Sequence, residues 1–113
     1  MSSGHLDRTL AALAEPTRRG VVDLLRRRPH RASDLAEALS VTRPAMSRHL
    51  RVLRRSGLVR ETIREQDARE RVYELQPRPF VELQQWLAEV EAFWGEQLEA
   101  FRAHAEAGPR RRR

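Results

Sequence analysis

The chain has no cysteine and no lysine, only five glycines, and few aromatic residues: two tryptophans, three phenylalanines and one tyrosine among 113 residues. Without cysteine there is no disulfide, no thiolate metal site and no cysteine nucleophile. So few glycines leave little room for a phosphate-cradling loop. No nucleophile elbow or acid and base pair stands out either, and an enzyme is not expected. No stretch approaches the roughly 18 apolar residues that a membrane span needs. The opening MSSGHLDRTL also lacks a basic region followed by an apolar run, so a cytoplasmic protein with no membrane partner is expected. The histidines, His5, His30, His49 and His104, are scattered, and none repeats the spacing of a metal-binding signature. Neither a metal nor a cofactor is expected.

The net charge is +6, carried on the basic side by 22 arginines alone. An all-arginine usage that extends far from any motif is explained by codon bias, so its placement is more informative than its identity. From Val41 to Arg60 there are six arginines and no acidic residue, whereas from Pro77 to Pro109 two arginines stand against six glutamates. Such segregation fits a segment that meets an anionic polymer joined to a segment with another task.

The length suits one domain with one core. His5 to Ala14 reads as a first helix with Leu6, Leu10 and Leu13 at helical spacing, ended by Pro16. A second runs from Pro16 to about Arg28, with Val21, Val22, Leu24 and Leu25 inward, and Pro29 stops it. Ser33 suits the N-cap of a short helix Asp34 to Leu39. After a break at Ser40 and Val41, Thr42 caps a helix to about Arg55, closed by Gly57. On it Met46, Leu50 and Leu53 share a buried face, while Ser47, Arg48, Arg51 and Arg55 lie round the other side. Leu58 to Arg64 and Arg71 to Leu75 alternate as a β-hairpin. Its polar tip, Glu65 to Glu70, leaves Arg64, Arg69 and Arg71 able to reach a phosphate backbone.

A final long helix, Phe80 to about Ala107, precedes Gly108 and Pro109. Phe80, Leu83, Leu87, Val90, Trp94, Leu98 and Phe101 recur near a heptad period, with Trp86 and Phe93 as a second stripe. That is wider than one core needs. Together with Leu6, Leu10 and Leu13, it predicts a two-fold homodimer through the first and last helices. The fold class is mainly α with a small hairpin, in the order α-α-α-α-β-β-α. Residues 1–107 are expected as a single domain, with a reading helix at about 42–56, a wing at about 58–75 and a dimerisation helix at about 80–107. Residues 108–113, ending in Arg110 to Arg113, are expected to be a disordered basic tail.

The stretches ALAEPTRRGVVDLL, ASDLAEALSVTRPAMSRHLRVLRRSGLVR and RERVYEL resemble the ArsR-type family of winged helix-turn-helix repressors, over about Leu10 to Leu75. The resemblance implies a dimer that binds inverted-repeat operators in duplex DNA and represses until an inducer, often a metal ion, loosens it. Thr42, Arg43, Ser47, Arg48 and His49 match the positions from which the family reaches bases and phosphates, and Arg51 extends that face. Where relatives often carry a glutamine suited to adenine, this chain has Arg43, which favours the O6 and N7 acceptors of guanine. The cysteine pair and the Asp and His constellation that hold metal in relatives are missing. Any small-molecule inducer stays unidentified. Two other functions share parts of this pattern: a nonspecific architectural DNA binder, and a protein-interaction module that uses the C-terminal aromatic helix.

Overall fold

The computed structural model describes residues 2–65 and 69–110. Five helices and a hairpin follow one another: α1 (Ser2–Leu13), α2 (Pro16–Leu25), α3 (Ala32–Ala38), α4 (Arg43–Arg55), β1 (Val59–Arg64), β2 (Glu70–Leu75) and α5 (Pro77–Arg110). The chain divides into two compact units, residues 1–82 and 83–113.

In the first unit the core draws one residue from α1, two each from α2 and α3, three from α4, and Leu58 and Val59 at the start of the hairpin. Ala12, Val21, Leu25, Leu35, Ala36, Met46, Leu50, Leu53, Leu58 and Val59 are all buried together. The spacing of Met46, Leu50 and Leu53 brings them to one face of α4, as the sequence predicts. Gly20 allows α2 to approach α3, because a Cβ there would meet Leu39 Cδ2 at 2.9 Å. β1 and β2 pair antiparallel, Val59 opposite Leu75 and Arg64 opposite Glu70. His30 adds a short third rung through mutual backbone bonds with Tyr73, of 3.2 and 2.8 Å.

α3 and α4 both end in the same backbone turn. At α3, Ser40 N–H bonds the Glu37 carbonyl and Val41 N–H the Ala36 carbonyl. At α4, Gly57 N–H bonds Arg54 and Leu58 N–H bonds Leu53. Both are Schellman motifs, which need a residue with positive φ: Gly57 at 77° and Ser40 at 57°.

Several boundaries differ from expectation. α2 stops at Leu25 rather than near Arg28, because Pro29 bars helical geometry at Arg28 and the last turn tightens, with Arg27 N–H reaching Leu24. α3 begins at Ala32, with Arg31 rather than Ser33 at the N-cap position. The His30–Tyr73 pairing fixes the chain just before it, and Arg31 grips Asp34 in the first turn with two bonds of 3.2 Å. α5 begins at Pro77, three residues before Phe80. Pro77 and Pro79 fall in its first turn, where a missing N–H costs nothing and the fixed φ suits a helix. It also continues through Gly108 and Pro109 to Arg110. The wing tip at 66–68 and tail residues 111–113 lie outside the described residues.

The second unit is α5 from residue 83 onward. Every described residue from 84 to 107 except Val90 is exposed. Among them are Trp86, Leu87, Phe93, Trp94, Leu98 and Phe101. No helix among the described residues is long and apolar enough to cross a membrane.

Candidate nucleic-acid interface

Thr42 starts α4 as an N-cap, its Oγ1 accepting from Ala45 N–H at 3.2 Å. Pro44 adds a preset φ to the first turn. With Met46, Leu50 and Leu53 turned into the core, Arg43, Ser47, Arg48, Arg51, Arg54 and Arg55 are left exposed. Of the residues expected to face DNA, Arg43, Ser47, Arg48 and Arg51 thus share one exposed face of α4, to which Arg54 and Arg55 also belong. It carries no internal acid, so its field adds rather than cancels.

His49 does not share that face. Its side chain is 20% exposed and stands 3.9 Å from Glu15 Oε1. Arg18 Nη1 is 3.3 Å from its Nδ1. It lies at the inner flank of α4, against the entry to α2.

The wing contributes Arg64, Arg69 and Arg71, all exposed. Arg71 donates to Glu61 Oε2 at 3.2 Å, and Arg54 of α4 donates to Glu61 Oε1 at 3.3 Å. Between α4 and the hairpin runs a groove of about 420 Å³ lined by Ser47, Leu50, Arg51, Arg54, Arg55 and Tyr73. Burial, reinforced by the nearby Glu61 carboxylate, pushes the Tyr73 phenol above its usual pKa. Tyr73 therefore lines this cationic groove as a neutral phenol.

Neither Arg54 nor Glu61 stands out from the cationic periodicity of the sequence alone. One signal was present: Glu61 is the first acidic residue after Glu37, at the border of the acid-free stretch. Glu15 and Arg18 also escape a reading built on α4, because their role depends on a contact made 31 residues away along the chain.

Of the residues expected at a dimer interface, Leu6 is half-buried and Leu10 exposed. Leu13 and Phe80 pack against the core of the same chain. Leu83 and Val90 are half-buried, and the remainder of the α5 stripe is exposed. Phe93 and Trp94 form an edge-to-face pair with centroids 5.8 Å apart. Among the described residues, no three His, Cys, Asp or Glu side chains gather where they could hold a metal ion.

Residues 15–61 match the family model for bacterial regulatory proteins of the arsR family. The HTH-type transcriptional regulator Rv2034 of Mycobacterium tuberculosis is 38% identical over 95 residues, which span 84% of this chain and 83% of that protein. This chain belongs to the ArsR family. An ArsR-like transcriptional regulator from Rhodococcus sp. RHA1 superposes with a TM-score of 0.74 at 29% identity, over 94% of each chain. The homodimeric winged helix-turn-helix DNA-binding domain of Mb0332 from Mycobacterium bovis superposes with a TM-score of 0.59 at 25% identity, over 86% of this chain and 84% of that one. The ArsR-family protein described here is a DNA-binding transcriptional regulator with the winged helix-turn-helix fold.

Proposed function

We propose that this ArsR-family protein is a dimeric, cytoplasmic repressor that reads an inverted-repeat operator with α4 in the major groove. The observation that carries this reading is the exposed face of Arg43, Ser47, Arg48 and Arg51 on a helix whose opposite side buries Met46, Leu50 and Leu53. Thr42 fixes the start of α4 beside the duplex. Arg43 and Arg48 reach base edges, while Ser47 and Arg51 hold bases or phosphates. Arg64 and Arg69 lie on the flanking backbone. His49 serves to dock the helix rather than to read.

The dimer is supported by the exposed apolar stripe of α5 and by the homodimeric relative. Two copies of α4 related by a two-fold axis would enter successive major grooves, about 34 Å apart. Repression is supported by the resemblance of the α3, α4 and wing segments to the family's repressors.

Selection of binding sites from random duplexes tests the reading. A palindromic consensus bound roughly 10³-fold or more tighter than scrambled duplex is expected. Equal affinity for both at physiological salt overturns it and points to an architectural binder.

A further inference from the structure

We propose that Glu61 is a positioning residue for DNA recognition, locking the wing to the reading helix so that both meet the duplex as one surface. The inference rests on the proposed use of α4 and the wing on DNA.

A carboxylate among the arginines of a DNA-facing surface is unfavourable for affinity, since it repels phosphates. Glu61 is nevertheless held firmly. It is 17% exposed, whereas its partners Arg54 and Arg71 are 53% and 71% exposed. Each of its oxygens takes a different arginine: Oε1 takes Arg54 Nη1 at 3.3 Å and Oε2 takes Arg71 Nη1 at 3.2 Å. Arg54 is in the last turn of α4, Glu61 on β1 and Arg71 on β2. One carboxylate thus joins three elements.

The ladder register explains the reach. Glu61 stands opposite Tyr73 and Ile63 opposite Arg71, so Glu61 and Arg71 are diagonal neighbours on one face of the hairpin. Strand pairing sets the hairpin's internal geometry, and the His30–Tyr73 rung ties β2 to the segment before α3. Among the described ion pairs, only Glu61–Arg54 joins the hairpin to α4. With Glu61 gone, Arg51, Arg54 and Arg55, which line the groove, and Arg71, which shares the carboxylate, would be left with uncompensated like charge. The wing would be pushed from α4 just where a phosphate backbone has to fit both.

Charge and geometry then act in opposite directions, which makes the proposal testable. Glu61→Gln removes a negative charge, so affinity for scrambled duplex should hold or rise. Affinity for the selected operator should fall, lowering the operator-to-scrambled ratio about tenfold, the effect of losing one well-placed contact. Glu61→Asp keeps the charge but is one methylene too short to hold both arginines. It should lower the ratio in the same direction with no change in net charge, and it carries the test if Glu61→Gln fails to fold by circular dichroism.

A ratio unchanged in both variants overturns the proposal, as does an equal gain in affinity for operator and scrambled duplex in Glu61→Gln. If the wild-type protein itself shows no preference, the proposed function fails and this inference with it. A wild-type preference retained in full by the variants overturns this inference alone.

Discussion

Arg18 Nη1 lies 3.3 Å from His49 Nδ1, while Nε of the same guanidinium donates to the Ala12 carbonyl at 2.7 Å. One arginine thereby joins the end of α1 to the inner flank of α4. With the imidazole neutral, Nδ1 accepts from the guanidinium and the remaining proton sits on Nε2. The reading helix is thus docked by apolar side chains in the middle and by a polar contact at its edge. Removing one partner of a part-buried hydrogen bond costs about 1–3 kcal/mol. His49→Ala should lower the free energy of urea unfolding by about 1–2 kcal/mol while leaving the operator-to-scrambled ratio near that of the wild type. A collapse of that ratio in a stably folded variant would restore His49 to the reading face.

Glu15 opens a second, pH-dependent test. Its carboxylate accepts from Arg18 N–H at 3.0 Å, capping α2. That backbone bond holds its pKa below the ordinary carboxylate value. A carboxylate depressed in the folded state binds fewer protons there than in the unfolded chain. Its contribution is therefore present above the ordinary carboxylate range and is lost as pH falls through the lowered value. Glu15→Gln retains an acceptor but cannot titrate. Acidification from neutral pH should therefore lower the thermal midpoint of the wild type more steeply than that of the variant, with the difference closing at the acid end. Parallel midpoint curves for the two proteins would rule out a capping charge.

Much of this architecture is legible in the residues, and the exceptions have physical causes. Met46, Leu50 and Leu53 announce the buried face of α4 by spacing alone, and Thr42 and Gly57 announce its ends. Ser40 does not announce the matching turn after α3. A serine carries no signal for positive φ, and its conformation is imposed by the Ala36 and Glu37 carbonyls that the turn must satisfy. Ser33 is a good cap in isolation, yet α3 begins at Ala32. What overrides it is the backbone pairing of His30 with Tyr73, a contact 43 residues apart that no local pattern contains. The Glu61 bridge was hidden for the same reason. Charge periodicity shows that arginines are exposed, but which of them are neutralised depends on the register of β1 and β2.

The division of labour among the arginines can be separated by substitution. On the proposed function, Arg43, exposed at the start of α4, reads one base pair, and Arg69, exposed at the wing, holds phosphate. Arg43→Ala should cost about 1–3 kcal/mol on the preferred operator and erase preference at one position of each half-site. Arg69→Ala should weaken binding evenly across sequences and reduce the slope of log affinity against log salt by about 1. Selection profiles and salt titrations on both variants check this. Uniform weakening by Arg43→Ala would remove it from the base-reading set.

The stripe on α5 makes the strongest demand for a partner. A helix with Trp86, Leu87, Phe93, Trp94, Leu98 and Phe101 all exposed leaves its largest apolar side chains in water. Single exposed apolar residues need no explanation, but a contiguous stripe along one helix marks an interface. On the proposed function a second copy accounts for it, since two such stripes packed in a coiled-coil manner bury each other. Trp94→Glu puts a charge in the middle of that seam. At concentrations where the wild type sediments as a dimer, the variant should sediment as a monomer. Its affinity for an isolated half-site should be unchanged, whereas its affinity for the full palindrome should fall by about 10²-fold or more, because the second half-site is no longer bound intramolecularly. A wild-type protein that sediments as a monomer with both tryptophans open to a soluble quencher would instead make the stripe a docking surface for a different protein.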